Sequence, residues 1–291
     1  MLSILVPIYN VEVKKMITSL LEQCKKAKID YEVICFDDKS RKAIKNKNQA
    51  VLQHLFKVNY VELSENIGRA KIRNWLAKAA NGDRLLFLDC DSKIIRKDFV
   101  KTYINNSAPV IYGGRVYTKR KSNDSFTLHW EYGHKYESKE AIERSKLPYE
   151  SFMSNNFLID AQLFNEIGFN EDIIGYGYED LVFAQDIKEK EIEILHIDNP
   201  VEHRFIDKNE AFMDKIDRSL INLKELYQQD KIQATKLLRW VSTLQKWKLD
   251  GIVCKLLASR LGQIRTDLIQ NKKPIRWLQV YKLGKYLSNL R

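Results

Sequence analysis

Arg84-Leu85-Leu86-Phe87-Leu88-Asp89-Cys90-Asp91 is an apolar run that ends on two carboxylates one residue apart. A short unbroken apolar run fits a strand buried on both faces, as in a parallel sheet covered by helices on each side. Such a strand delivers the residues that follow it to the carboxyl edge of the sheet. Two aspartates there suit a hard divalent cation, which takes oxygen ligands and leaves positions for the phosphate oxygens of a substrate. A triplet of this kind is weak by itself, so the flanking sequence has to carry the reading.

Outward from it, short β-type runs alternate with helical segments: Leu2 to Ile8, then 12–28; Tyr31 to Phe36, then 41–56; Val58 to Leu63, then 69–80; Arg84 to Leu88, then 97–105. This alternation predicts an α/β fold with a mostly parallel sheet and helices on both faces. Ligands in that architecture bind outside the carboxyl ends of the strands. Polar residues collect at those ends: Tyr9-Asn10, Asp37-Asp38, Ser64 to Gly68 and Asp89 to Asp91. Beyond 105 the pattern loosens. Val110 to Tyr117 reads as a strand bent at Gly113-Gly114, and 119–150 as a polar loop with some helix. Strand pieces follow at Phe157 to Ile159, Glu193 to Ile197 and Val201 to Phe205, with helices at 161–167, 179–190 and throughout from 207.

Several of these residues carry two readings. Asp37-Asp38 can accept a hydrogen bond from a nucleobase imide, or can serve with Ser40 as caps for the next helix. Tyr9 can lie against a base or simply pack. Asn66 and Gly68 suit a tight loop before a helix that opens on Arg69, Lys71 and Arg73, where an anion would offset cations placed against the macrodipole. In Gly175-Tyr176-Gly177-Tyr178-Glu179-Asp180 two glycines lead into a helix opening with adjacent acids. Acids there are favoured by the dipole, and one of them can also act as a general base. His203 closes a strand where an imidazole can complete a metal shell, whereas His196, inside an apolar strand, reads as core.

Composition narrows the class. The 291 residues carry a formal charge of +11 and 44% hydrophobic residues, enough for a full core. The charge is uneven: residues 231–291 hold fourteen Lys or Arg against Asp250 and Asp267, a net of +12 that leaves −1 for residues 1–230. Cys24, Cys35, Cys90 and Cys254 lie far apart with no Cys-x-x-Cys pair, and read as reduced thiols. The first residues lack signal-peptide character, and no apolar run reaches the roughly 20 residues of a membrane span. The expectation is a cytoplasmic protein, free or peripheral on the inner face of the cytoplasmic membrane.

In order and spacing, these pieces resemble family 2 of the glycosyltransferases with the GT-A fold. The resemblance runs through Ser3-Ile4-Leu5-Val6-Pro7-Ile8-Tyr9-Asn10, Phe36-Asp37-Asp38-Lys39-Ser40, Asn66-Ile67-Gly68-Arg69-Ala70-Lys71-Ile72-Arg73-Asn74 and Phe87-Leu88-Asp89-Cys90-Asp91. It resumes at Asn156-Phe157-Leu158-Ile159 and Phe164 to Glu171, and ends at Gly177-Tyr178-Glu179-Asp180. It implies a GT-A domain over 1–205, with a nucleotide-binding half 1–105 and an acceptor half 106–205, followed by a basic helical extension, 206–291.

The resemblance also implies roles. Pro7, Tyr9, Asp37, Asp38, Asn66, Arg73, Asp89 and Cys90 form the donor-binding set, with Tyr9 stacking on the base, an aspartate reading uracil and Arg73 supporting the diphosphate. Asp89, Asp91 and His203 would hold Mn²⁺ or Mg²⁺. The Gly-x-Gly-x-Glu-Asp stretch is similar to that of β-1,4-galactosyltransferases and bacterial chondroitin-type polymerases, which makes Asp180 the catalytic base and Glu179 a sugar contact. The implied reaction is inverting, metal-dependent transfer of a hexose or N-acetylhexosamine from a UDP-sugar to a hydroxyl of a glycan or lipid-linked oligosaccharide.

The basic extension has its own pattern. Leu237, Trp240, Val241, Leu244 and Trp247 recur at helical spacing among Lys236, Arg239, Lys246 and Lys248, and Ile252, Val253, Leu256, Leu257, Leu261, Ile264 and Leu268 follow. These helices either pack on the body or a partner subunit, or lie on an anionic membrane surface through residues 231–291. A rival reading makes the extension a nucleic-acid-binding module on an inert transferase-like scaffold. It lacks a groove-reading motif, so no nucleic-acid partner is expected. A nucleotidyltransferase would want a glycine-rich loop where Pro7-Ile8-Tyr9-Asn10 stands. Oligomeric state is left open, a homo-oligomer included.

Overall fold

A computed structural model describes residues 1–173, 175–233 and 235–290. The chain divides into two compact units, one of Met1–Tyr117, Ser138–Ile174 and Glu179–Arg204, the other of Thr118–Glu137, Gly175–Tyr178 and Phe205–Arg291.

The first unit opens with the expected alternation: β1 (Leu2–Ile8), α1 (Lys14–Ala27), β2 (Tyr31–Asp37), α2 (Lys42–Leu52), β3 (Val58–Glu62), α3 (Arg69–Lys78) and β4 (Arg84–Leu88). After the aspartate pair come β5 (Ser92–Ile94), α4 (Phe99–Ile104), β6 (Val110–Tyr112) and β7 (Arg115–Tyr117). In the second unit a 3₁₀ turn (Asp124–Phe126), α5 (Thr127–Tyr132) and a π-turn (Gly133–Glu137) occupy the stretch read as mostly loop. The first unit resumes with α6 (Ala141–Arg144), β8 (Asn156–Asp160), α7 (Ala161–Ile167), α8 (Glu179–Glu189), β9 (Ile194–His196) and β10 (Val201–His203). The second unit continues through α9 (Asn209–Gln228), α10 (Lys236–Lys246), α11 (Asp250–Ala258), α12 (Leu261–Ile269) and α13 (Trp277–Asn289).

Seven strands form the main sheet in the order β3-β2-β1-β4-β8-β6-β9. The first four are mutually parallel, β8 runs antiparallel to β4 and β6, and β9 is parallel to β6. The carboxyl ends of β1, β2, β3 and β4 therefore share one edge, as the polar clusters required. Side-chain alternation explains the unbroken apolar run in β4. Leu85 and Phe87 join a cluster with Leu76, Phe157, Phe164, Phe169 and Phe183, while Leu86 and Leu88 face Ile17, Leu20 and Phe99 on the other side. Phe87 stacks on Phe157 at 4.8 Å, and Phe169 on Phe183 at 4.3 Å. Each such buried ring removes enough apolar area from water to contribute about 2–3 kcal/mol.

The glycine bend expected inside Val110 to Tyr117 is a change of sheet. β6 belongs to the main sheet, and β7 to a second, three-stranded sheet ordered β5-β10-β7. Gly114 has φ +95°, and a Cβ at Gly113 would collide with the Tyr103 hydroxyl and the Asn156 amide. Both glycines are needed there, one for the turn and one for close approach. The short β5 was not legible in the sequence, because three residues give too brief a pattern to register.

In the second unit α11, α12 and α10 each pack against α13, and α12 and α13 against α9. Asn209 ties α9 to the 3₁₀ turn and to α12 by donating to Asp124 O at 3.1 Å and Ile269 O at 2.8 Å. Gly175–Tyr178 belongs with α9: the Asn222 amide donates to Gly177 O, and Lys215 and Arg218 lie over the Tyr176 ring.

Candidate active site

The site grows from the carboxyl ends of β1, β2 and β4. At the end of β1, Pro7 is half-buried and the Tyr9 ring is 53% exposed. Asn10 turns the chain at φ +57°, a conformation its short side chain tolerates. The turn is tied to β2, with the Asn10 N–H donating to Ser40 Oγ at 2.7 Å and the Arg41 N–H to Asn10 Oδ1 at 2.8 Å.

Asp37 and Asp38 are both buried, and both carboxylates have internal partners. Asp37 accepts the Ser40 N–H at 2.6 Å and the Tyr60 hydroxyl at 3.2 Å. It shapes the turn that precedes α2, while α2 itself begins without a side-chain cap. Asp38 accepts the backbone N–H groups of Ile67 at 2.7 Å and Gly68 at 3.2 Å, and Asn66 Nδ2 donates to Asp38 O at 3.1 Å. The anion at the start of α3 is thus supplied by the chain itself. Burial raises the Asp38 carboxyl; the two N–H groups oppose that, and Asp37 adds to it.

At the end of β4 the Asp89 carboxylate faces cations. Arg73, buried on α3, donates Nη2 to Asp89 Oδ1 at 2.6 Å and Nη1 to Arg69 O at 3.0 Å. Arg115 on β7 stands 3.8 Å from Asp89 Oδ2. Cys90 is half-buried. Its thiol is raised by burial and by the Asp91 charge, with the Tyr9 backbone as a hydrogen-bond partner opposing, so it is a packing group without thiolate character.

Asp91 turns the other way, toward His203. The β5 and β10 strands are antiparallel with His203 opposite Ser92, and the Arg204 N–H donates to Asp91 O at 3.0 Å. This register sets His203 Nδ1 3.4 Å from Asp91 Oδ2. Burial would raise the Asp91 carboxyl, but His203, helped by Arg115 and Arg69, outweighs it and holds the group below the usual carboxylate range. Asp91 Oδ1 is buried and has no hydrogen-bond partner among the described residues. A buried carboxylate oxygen beside an imidazole is a donor set suited to a divalent cation. Among the described residues no three His, Cys, Asp or Glu side chains form a ready-made metal cluster, so a cation held by Asp91 and His203 would take further oxygens from its ligand.

The adjacent acids sit at the first turn of α8. Glu179 is buried and pairs with Arg69 at 3.2 Å. Asp180 accepts the Ser154 hydroxyl at 2.6 Å. Its carboxyl is pushed up to about 6, first by burial and then by the Glu179 charge, with Arg73 and the Ser154 hydroxyl opposing and Asp89 adding to it. Arg69 of α3, whose carbonyl also holds Arg73, reaches Glu179 at 3.2 Å, which places α8 at the same strand edge. His196 is buried and bonded to Pro148 O at 3.0 Å, as a core residue should be.

Ser154 and Arg115 escaped sequence reasoning. Ser154 lies in an irregular stretch and reaches the site because β8 inserts beside β4, setting Asn156 opposite Leu88; Arg115 opens β7 and reaches it because Gly113-Gly114 redirects that strand. Paired glycines before a cation were the one available signal for Arg115.

Residues 3–170 match the family model described as glycosyl transferase family 2. A Haemophilus influenzae protein described as an uncharacterized glycosyltransferase is 38% identical over 93 residues, which are 31% of this chain and 29% of the relative's length. Among solved structures, the mannosyltransferase PcManGT of Pyrobaculum calidifontis, in complex with GDP-Man and Mn²⁺, aligns over 99% of this chain and 86% of its own, with a TM-score of 0.63 and 14% identity. TarS 1–349 of S. aureus, in complex with UDP, aligns over 99% and 88%, with a TM-score of 0.53 and 20% identity. At these identities the structural matches speak to the fold alone. The match over more than half of the sequence, carried on this sheet, makes the chain a member of glycosyl transferase family 2 with the GT-A fold.

Proposed function

We propose that the chain transfers a hexose or N-acetylhexosamine from a UDP-sugar to a hydroxyl of a glycan or lipid-linked glycan, with inversion at the anomeric carbon. The observation that carries this reading is the meeting, at one strand edge, of the Asp91–His203 pair, the Arg73–Asp89 pair and the Arg69–Glu179 pair that brings in the neighbouring Asp180. In-line displacement has two ends. At one, a carboxylate must remove the proton of the attacking hydroxyl as the new C–O bond forms. Asp180, raised to about 6 and ionised at neutral pH, suits that task. At the other, the bond to the departing diphosphate breaks and negative charge accumulates. Arg73 and Arg115 bring positive charge there, and Asp91 and His203 would hold Mn²⁺ or Mg²⁺, which neutralises phosphate oxygens when bound.

Tyr9 offers an exposed ring against which a base can stack. Uridine is the base we favour: each Asp37 and Asp38 oxygen with one internal partner keeps a lone pair for an imide N–H. The fold relatives support a nucleotide-sugar donor and a divalent cation, TarS with UDP and PcManGT with GDP-Man and Mn²⁺. Calorimetric titration of UDP and GDP in Mn²⁺ and in chelator tests the proposal. Tighter binding of UDP that depends on the cation is expected; cation-independent binding, or none, would overturn it.

A further inference from the structure

Five large apolar side chains fall within 240–256 and point to solvent: Trp240, Trp247, Leu249, Ile252 and Leu256. Trp247 and Leu256 are 69% and 65% exposed. They form two stripes. Trp240 and Trp247 are seven residues apart along α10 and its end, while Leu249, Ile252 and Leu256 share one face of the next helix. The opposite sides are used: α10 buries Leu238 and Val241, α11 buries Cys254, and both helices pack on α13. The exposed stripes are therefore what remains after internal packing is complete. Around them stand the exposed Lys236, Arg239, Lys246, Lys248, Lys255 and Arg260, with Asp250 the single acid between 236 and 260.

We infer that the α10–α11 hairpin is a docking face for an anionic membrane leaflet. Tryptophans and aliphatic side chains flanked by lysine and arginine match the boundary between acyl chains and acidic headgroups, where apolar area is buried while the cations remain at the phosphate level. No described helix is long and apolar enough to cross a bilayer, so the contact is with one face. A second copy is disfavoured as the occupant because each copy would bring the same excess of positive charge to the interface. A nucleic-acid backbone would satisfy the cations and leave the tryptophans in water.

Co-sedimentation of the full chain with vesicles of phosphatidylcholine alone, or of phosphatidylcholine mixed with phosphatidylglycerol, tests this. Pelleting with the anionic vesicles only, accompanied by a blue shift of tryptophan emission, is expected. The variant Trp240→Ser/Trp247→Ser should lose both effects. Lys246→Glu/Lys248→Glu should weaken binding by roughly thirty-fold or more, each basic residue near an anionic leaflet being worth about a factor of five. Circular dichroism melts matching the unsubstituted chain show that both variants fold. Equal pelleting with both vesicle types, pelleting of the tryptophan variant like the unsubstituted chain, or a concentration-dependent dimer abolished by the tryptophan variant would each overturn the inference.

Discussion

The carboxyl edge of the main sheet and the outer side of the α10–α11 hairpin both gather charge, but they treat it differently. At the sheet edge charge is paired, and each pair has one buried member: Arg73 with Asp89, Glu179 with Arg69, His203 with Asp91. On the hairpin charges of one sign stand exposed beside exposed apolar side chains. Removing the partner of a buried group leaves that group uncompensated, so substitutions at the edge should be felt sharply and individually. Exposed charges act additively and are screened by salt. The first arrangement suits chemistry at defined atoms, the second attachment to a surface.

The sharpest way to break this contrast is Asp180→Asn. Loss of a general base lowers turnover by roughly 10²–10⁴-fold, measured as nucleotide release with excess acceptor. The asparagine oxygen can still accept from Ser154, so the fold should persist. The sign of the stability change follows from the raised carboxyl. The folded state favours the protonated acid, so its contribution is fully present below the ordinary value of 3.8 and is lost as pH rises through about 6. Asp180→Asn should therefore raise the melting temperature at neutral pH and leave it unchanged in strong acid.

Next in size, Asp91→Ala or His203→Ala should cut the affinity for Mn²⁺ by at least the roughly 10- to 100-fold that even outer-shell changes cause, as read by titration of UDP at fixed Mn²⁺. A smaller effect belongs to Ser154. Its hydroxyl favours the ionised form of Asp180, so in Ser154→Ala the acid limb of the pH–rate profile, expected near 6, should move to higher pH. Smallest of all, Trp240→Ser/Trp247→Ser should leave kcat on a water-soluble acceptor unchanged within error. A large loss there would mean that the two regions are not separable.

The parallel half of the fold was legible because β1, β2 and β4 are buried on both faces and read as apolar runs, with helices of ordinary length between them. The clustering of Asp89, Asp91 and Asp180 was legible because strand ends and helix starts are the places where such a fold exposes side chains. What the sequence hid were contacts made by register. The resemblance already grouped His203 with Asp91, but the contact itself rests on a three-residue pairing between β5 and β10, and β5 is too short to leave a periodic signal. Asp37 and Asp38 read equally well as base ligands and as caps. The Ser40 N–H that Asp37 accepts is local, three residues on, whereas the Ile67 and Gly68 N–H groups that Asp38 accepts become visible only once a loop distant in sequence has been brought alongside.

In the proposed reaction, proton removal and cation binding occupy one edge through different residues. Calorimetric titration of UDP in Mn²⁺, with Asp180→Asn and Asp91→Ala measured side by side against the unsubstituted chain, tests it most directly. Near-normal affinity is expected for Asp180→Asn and a steep loss for Asp91→Ala; the reverse order would overturn the proposed division of roles.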